Sequence, residues 1–331
     1  MLASLQNTIQ AARGLNVTVL KPPVQEPELQ GKWIIISGSN NGVGLEAAKS
    51  FAKWGANLIL ACRDPPDWEL HPTAALEECK HLAEAQGHIS TIEWWELDMA
   101  DLTSVEAFCQ RWLESDRPLD ILCNNAGLPS TAKSDMTKDG FQKVHQVNFL
   151  SHVLITLRII PSLARSVEPR IVCTTSCVHH LGVLDLDHFN GGPDMKGNDY
   201  QNNKLYIQMW AVELQSRCLR HPDYSHIIIN GVHPGFVASG IWETSKNGNL
   251  IDRVFAFFPR FFGITPQQGS LAITHAATSP LVGRGGMYFN RIWEAPAQSY
   301  CHDSDVRLKL WIKVDEELQL QGKGLLALLG L

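Results

Sequence analysis

The sequence predicts an α/β protein, a single doubly wound and mostly parallel sheet with helices on both faces. From Gly31 onward, short apolar runs alternate with amphipathic stretches, the rhythm of βαβ units. A glycine-rich turn, "SGSNNGVG" at 37–44, joins the first apolar run to the first amphipathic stretch. The chain has 331 residues, 44% apolar and 19% charged, enough to bury a large core without metals or disulfides.

The elements follow in order. "KWIIISG" reads as a buried strand, "VGLEAAKSFAKWG" as a helix closing on Gly55, and "ANLILACR" as the second strand. A helix is expected from Thr73 to about Gln86, opened by Pro72. "STIEWWELD" (strand), "DLTSVEAFCQRWLES" (helix) and "LDILCNNAG" (strand) come next. The segment 139–166, "RIVCTTS", the helix around Tyr200 and "SHIIINGVHPG" continue the alternation. No repeat and no change of composition divides this region, so 31–321 is expected to be one domain. Residues 1–30 read as an extension whose three prolines in "KPPVQEPEL" favour an extended link, and 322–331 as an apolar tail.

Composition excludes several classes. A net charge of −6 and a pI near 6.1 leave no basic surface for a nucleic-acid backbone. Eight scattered cysteines show neither a CxxC pair nor metal-ligand spacing, so no metal site is expected and reduced thiols are. No apolar run reaches the roughly 18 residues of a membrane span, and no secretory signal is evident, so a cytoplasmic location is expected. Arg13, with no acid before Glu26, gives the N-terminus a faint likeness to a transit peptide. Self-association is left open.

The glycine turn is the first candidate site. Gly38, Gly42 and Gly44 lie between strand and helix, where bare backbone lets a diphosphate approach free helix N–H groups. Ser39, Asn40, Asn41 and Val43 fill the turn between them. The spacing is neither G-x-G-x-x-G nor a P-loop, so a plain strand–helix turn is the alternative. About twenty residues on, the second strand ends at Arg63, where a cation accommodates a 2′-phosphate; this selects NADP over NAD unless Arg63 is simply solvated. Tyr200 and Lys204, in "YQNNK", are one helical turn apart. Alone they are an ordinary polar turn.

Together with the remaining motifs, the region from about Lys32 to Gly240 resembles the short-chain dehydrogenase/reductase family. The glycine loop is similar to that family's Thr-Gly-x3-Gly-x-Gly, with Ser37 in place of Thr. "NNAG" at 124–127, Asn148 in "QVNFL", Ser176 in "TTSCVHH", Tyr200 with Lys204, and "HPGFVAS" at 233–239 match its other motifs in order. "ACRD", "HHLG" and the run from Thr265 to Phe289 look closest to the retinol-dehydrogenase-like branch. The resemblance implies a Rossmann-type fold and NADP(H)-dependent interconversion of an alcohol and a carbonyl on a bulky lipophilic substrate such as a retinoid, steroid, terpenoid or polyketide. It assigns catalysis to Asn148, Ser176, Tyr200 and Lys204. Cofactor contacts would come from the loop 38–44, Arg63, Asp98, Asn125, Ala126, Gly127, Tyr200, Lys204, Pro234, Gly235, Val237 and Ser239. Non-redox chemistry in the same pocket (dehydration, cyclisation or isomerisation) and a purely regulatory nucleotide-binding role remain alternatives.

The chemistry asks for these residues. Proton transfer at a carbinol oxygen needs an acid/base, and a free Tyr pKa of about 10 is high for that task near neutrality. A neighbouring ammonium stabilises phenolate, so Lys204 is expected to lower the Tyr200 pKa. Ser176, at a strand end, can donate to the substrate oxygen. Asn203 stands where the family usually has Ser. His179 and His180 are read either as lining the substrate entrance or as structural. Residues 240–264, with the aromatic "FAFFPRFF", are expected to form a substrate lid.

Overall fold

The computed structural model describes residues 2–21, 26–66, 71–132, 134–238 and 263–326. Seven strands form a parallel sheet in the order β3-β2-β1-β4-β5-β6-β7, and β8 adds antiparallel to β7 at the edge. They are β1 (Trp33–Ser37), β2 (Asn57–Cys62), β3 (Ile92–Glu96), β4 (Ile121–Asn124), β5 (Arg170–Thr174), β6 (Ile228–His233), β7 (Tyr288–Asn290) and β8 (Trp293–Ala295). The order reverses at β1 and β4, the place where crevices open beyond the strand ends in such sheets.

Strand β1 shows why the runs are continuously apolar. Ile35 faces one core and Ile34 and Ile36 face the other, because successive side chains point to opposite faces. One core is closed by α4 (Leu102–Glu114), α6 (Ser151–Leu163) and α7 (Asp199–Cys218). The other is closed by α2 (Gly42–Lys53), α3 (Pro72–Ala85) and α8 (Pro266–Thr278). Short polar side chains set the helix starts: Asn41 accepts from Gly42 N–H, Asp101 from Thr103 N–H and Asn198 from Gln201 N–H. Trp95 is buried while Trp94 is half-buried, as strand alternation requires.

Helix α7 is buried on almost every side. Its outer face is covered by α9 (Ser304–Leu318), where the Trp210 and Trp311 rings stack at 6.4 Å and 7°. Glu213 bridges Arg217 and Arg307 across the same seam. The three-residue strands β7 and β8 are too short to leave a readable sequence pattern.

The N-terminal segment lies against the sheet's C-terminal edge. Helix α1 (Leu2–Arg13) ends at Gly14, whose carbonyl accepts from His233 Nε2 at 2.7 Å. Asn290 donates to Arg13 O, and the fully buried Arg291 donates to Asn16 O and Thr18 O. Gln268 pairs with both backbone groups of Leu20. At the other terminus Leu325 is buried in the core beside α9. Among the described residues no helix is long and apolar enough to cross a membrane, and no His/Cys/Asp/Glu cluster could hold a metal ion.

Candidate active site

The glycine turn is built by close approach. Gly38 and Gly42 have φ of +65° and +56°, a backbone that favours glycine. A Cβ on Gly44 would lie 2.3 Å from Gly38 O and 2.5 Å from Asn125 Nδ2, so no other residue fits without displacement. Ser37 ties the turn to the neighbouring strand: its Oγ accepts from Asn125 N–H and Ala126 N–H at 3.0 and 3.1 Å. Asn125 answers by donating to Ser37 O. Asn125 therefore shapes the turn from behind, a role its place in the "NNAG" motif did not disclose. Ser39 is buried and donates to Ile36 O, and Asn40 is buried beside it.

Arg63 is the first residue beyond β2 and is exposed. Asp98 follows β3 by two residues; its carboxylate accepts from Ala100 N–H, and its own N–H donates to Ser104 Oγ. The Pro-Gly motif follows β6 directly. Gly235 has φ +93°, and a Cβ there would sit 2.7 Å from Arg291 Cδ. Val237 pairs with Ile264, and its side chain meets Gly269 of α8, which also faces Val43. Helix α8 thereby clamps the glycine turn to the Pro-Gly segment. Ser239 and the expected lid, apart from Gly263 and Ile264, lie outside the described residues.

The four catalytic candidates converge at the ends of β4 and β5. Ser176 caps a short 3-10 helix (Cys177–Leu181), its Oγ accepting from Val178 N–H, and it is close enough to Tyr200 to favour the ionised phenol. Tyr200 is half-buried in the first turn of α7. One turn on, Lys204 Nζ lies 5.6 Å from the Tyr200 ring centroid and donates to Thr174 O at 2.8 Å. Asn148 sits in a π-helical stretch, Gln146–Leu150, between the three-residue turn α5 (Lys143–His145) and α6. Such π turns occur often at functional sites. Its amide bonds both backbone groups of Leu128, at 2.7 and 2.8 Å. Gly127 lies between Asn148 and Lys204: a Cβ there would be 3.3 Å from Asn148 Oδ1 and 3.6 Å from Lys204 Nζ.

Burial governs the protonation of the pair. It pushes the Tyr200 phenol up to about 12, against the opposing effect of the Ser176 side chain, and pulls Lys204 down to about 8. The expected lowering of Tyr200 by Lys204 is therefore not found within the protein's own groups: desolvation dominates, Cys177 adds to it, and the opposing effect comes from Ser176 and not from Lys204. His179 and His180 are both buried, their rings 4.0 Å apart. His179 faces Ser176 O through Nδ1 and accepts Gln298 N–H at Nε2, so it braces the Ser176 loop.

A glycine cradle at a strand–helix turn, with a Ser–Tyr–Lys–Asn group beyond the next strands, defines a dinucleotide-dependent oxidoreductase of the Rossmann type. The short chain dehydrogenase family model matches residues 32–190. Human retinol dehydrogenase 14 is 30% identical over 290 residues, covering 86% of this chain and 85% of that protein. Mouse retinol dehydrogenase 11 is 32% identical over 286 residues, covering 86% and 85%. Zebrafish polyprenol dehydrogenase is 29% identical over 292 residues, covering 86% of each. An uncharacterised protein from Mycobacterium Paratuberculosis shares the fold with a TM-score of 0.65 at 22% identity, over 91% of this chain and 98% of that one. The chain belongs to the short-chain dehydrogenase/reductase family, in its retinol-dehydrogenase-like branch.

Proposed function

We propose that this oxidoreductase interconverts an alcohol and a carbonyl on a bulky lipophilic substrate with NADP(H), Tyr200 exchanging the proton at the substrate oxygen. The grouping beyond β5 carries the reading: Lys204 Nζ, fixed to the Thr174 carbonyl, lies 5.6 Å from the Tyr200 ring centroid, and Ser176 is close enough to act on the same phenol. Retinol and polyprenol, in the names of the relatives, are both long apolar alcohols, which supports the substrate class.

The residues present fit a dinucleotide. Gly44 leaves bare backbone where a Cβ would collide and Gly38 backbone where one would be crowded, and α2 begins at that point, so its N-terminus faces the place an anion would take. Residues 38–44 would hold the diphosphate and Asp98 the adenine side. Asn125, Ala126 and Gly127 would form the wall beside it, Lys204 and Tyr200 would meet the ribose, and Pro234, Gly235, Val237 and Ser239 the nicotinamide end. Arg63, at the end of β2, supports NADP over NAD. When bound, the nicotinamide supplies or accepts the hydride.

The protein's own groups then have distinct tasks. Ser176 donates to the substrate oxygen and orients it. Tyr200, kept as phenol by burial, holds the proton that a carbonyl oxygen takes up in reduction and would take it back from the alcohol in oxidation. Lys204, brought to about 8, is poised to return a proton near neutral pH. Asn148 fixes the backbone at Leu128 and borders the Gly127 surface facing Lys204. The test is Tyr200→Phe, assayed by nicotinamide absorbance with a panel of lipophilic ketones and alcohols. Turnover should vanish while NADPH still binds; a fully active variant would falsify the assignment.

A further inference from the structure

Asn203, the departure from the family's usual Ser beside the lysine, has a specific buried partner. Its Oδ1 lies 2.6 Å from His145 Nδ1, while its Nδ2 donates to Asp199 O one turn back in α7. The other nitrogen of His145, Nε2, is 2.9 Å from Glu317 Oε2 at the end of α9. His145 and Asn203 are 1% and 3% exposed, and Glu317 is largely covered. The imidazole is walled by Phe149, Phe189 and Tyr206, with the Phe189 ring centroid 4.6 Å away. No other described ionisable side chain is hydrogen-bonded or ion-paired to this imidazole.

The position of the link matters as much as its burial. His145 immediately precedes the π-helical stretch that presents Asn148. Asn203 immediately precedes Lys204 and lies three residues beyond Tyr200. The bond between them therefore joins the two elements that carry the catalytic candidates, and Glu317 ties both to the C-terminal helix. Because Asn203 Nδ2 is already donating, its Oδ1 can only accept, so His145 Nδ1 carries a proton. Nε2 then faces a carboxylate oxygen, and a second proton shared between them completes the chain of bonds.

We infer that Asn203, His145 and Glu317 form a positioning relay that holds Asn148 in register with Tyr200 and Lys204, replacing the Ser common at position 203. The inference rests on the proposed hydride-transfer function. A relay of this kind sets Asn148 against the reacting groups and leaves the diphosphate and adenine contacts untouched, so its loss should appear mainly in kcat, with only a small change in KM for NADPH through the ribose contact of Tyr200 and Lys204.

The test is steady-state kinetics of the full chain at a temperature well below each variant's melting point, with folding checked by circular dichroism. Asn203→Ala and His145→Leu should each lower kcat about tenfold, a displacement effect, with KM for NADPH changed less than about twofold. The double variant should be no slower than the worse single one, because either change opens the same link. Glu317→Leu should behave like them. Glu317→Gln should stay within about twofold of the parent, since its amide can donate to a neutral Nε2 while Nδ1–H is kept for Asn203. Unchanged kcat in folded single variants, additive losses, or Glu317→Gln as slow as Glu317→Leu would each overturn the relay. A parent enzyme with no turnover of any carbonyl or alcohol would instead sink the functional reading, and the relay with it. If His145→Leu fails to fold, Asn203→Ala and the two Glu317 substitutions still decide the matter.

Discussion

Lys204 is anchored to Thr174: its Nζ donates to the Thr174 carbonyl at 2.8 Å, at the end of β5. That bond holds the amine 5.6 Å from the Tyr200 ring centroid, in surroundings that lower its pKa to about 8. Function and stability therefore pull in opposite directions at this residue. Lys204→Met should lower kcat about 100-fold or more, the usual scale for losing a proton-transfer partner. Its melting temperature at pH 7 should not fall, because a buried amine has been removed. A marked loss of stability with activity retained would contradict this assignment.

Gly44→Ala should damage the cofactor cradle. The added methyl meets a backbone oxygen at 2.3 Å, which cannot move as a flexible side chain could. Overpacking of this kind costs about 1–3 kcal/mol. NADPH affinity, followed by fluorescence titration, should weaken about two- to twelvefold if half of that cost falls on the bound form. Tight binding at the parent level would mean that the turn is not the diphosphate site.

Arg63→Glu should invert the choice of nucleotide. A carboxylate at the end of β2 suits a ribose 2′-hydroxyl and repels a 2′-phosphate. The ratio of kcat/KM for NADPH to that for NADH should drop by about tenfold or more, because an attraction to the 2′-phosphate is replaced by a repulsion. An unchanged ratio would move the selectivity elsewhere.

Acid should weaken the fold through its buried histidines. Burial lowers His152, His180 and His233 to about 4 from an ordinary 6.5, and holds His179 well below that ordinary value too. Between those values the unfolded chain binds protons that the folded chain refuses. Stability thus falls as pH drops below 6.5, and these groups add no slope above it. Each contributes up to about 1.4 kcal/mol per pH unit. Urea midpoints at pH 7, 6 and 5 should decline, and His180→Gln should flatten the decline; a flat parent curve would count against neutral buried imidazoles.

Much of the fold is legible in the sequence because each central strand is a short apolar run bounded by a turn, and β1 to β6 all have that form. The site is legible for a different reason: Gly44, Ser176, Tyr200 and Lys204 are residue types that few structural roles require in that order. The Tyr200 pKa was not legible, since desolvation depends on what surrounds the ring and not on the lysine four residues away. Asn125 carried a signal in its motif, but its work of bracing Ser37 appears only once β1 and β4 lie side by side. His145 carried no signal at all, because its partners Asn203 and Glu317 are distant in sequence.

The bonds that tie residues 13–20 to His233, Gln268, Asn290 and Arg291 span more than 200 positions of the chain. During synthesis, Gly14 emerges long before His233 exists, a wait on the order of ten seconds or more at ordinary rates of translation. A segment made more than 200 residues earlier is thus among the last to dock. Until then its apolar residues Leu5, Ile9, Leu15, Val17 and Val19, which stay exposed even afterwards, are available to whatever the nascent chain meets.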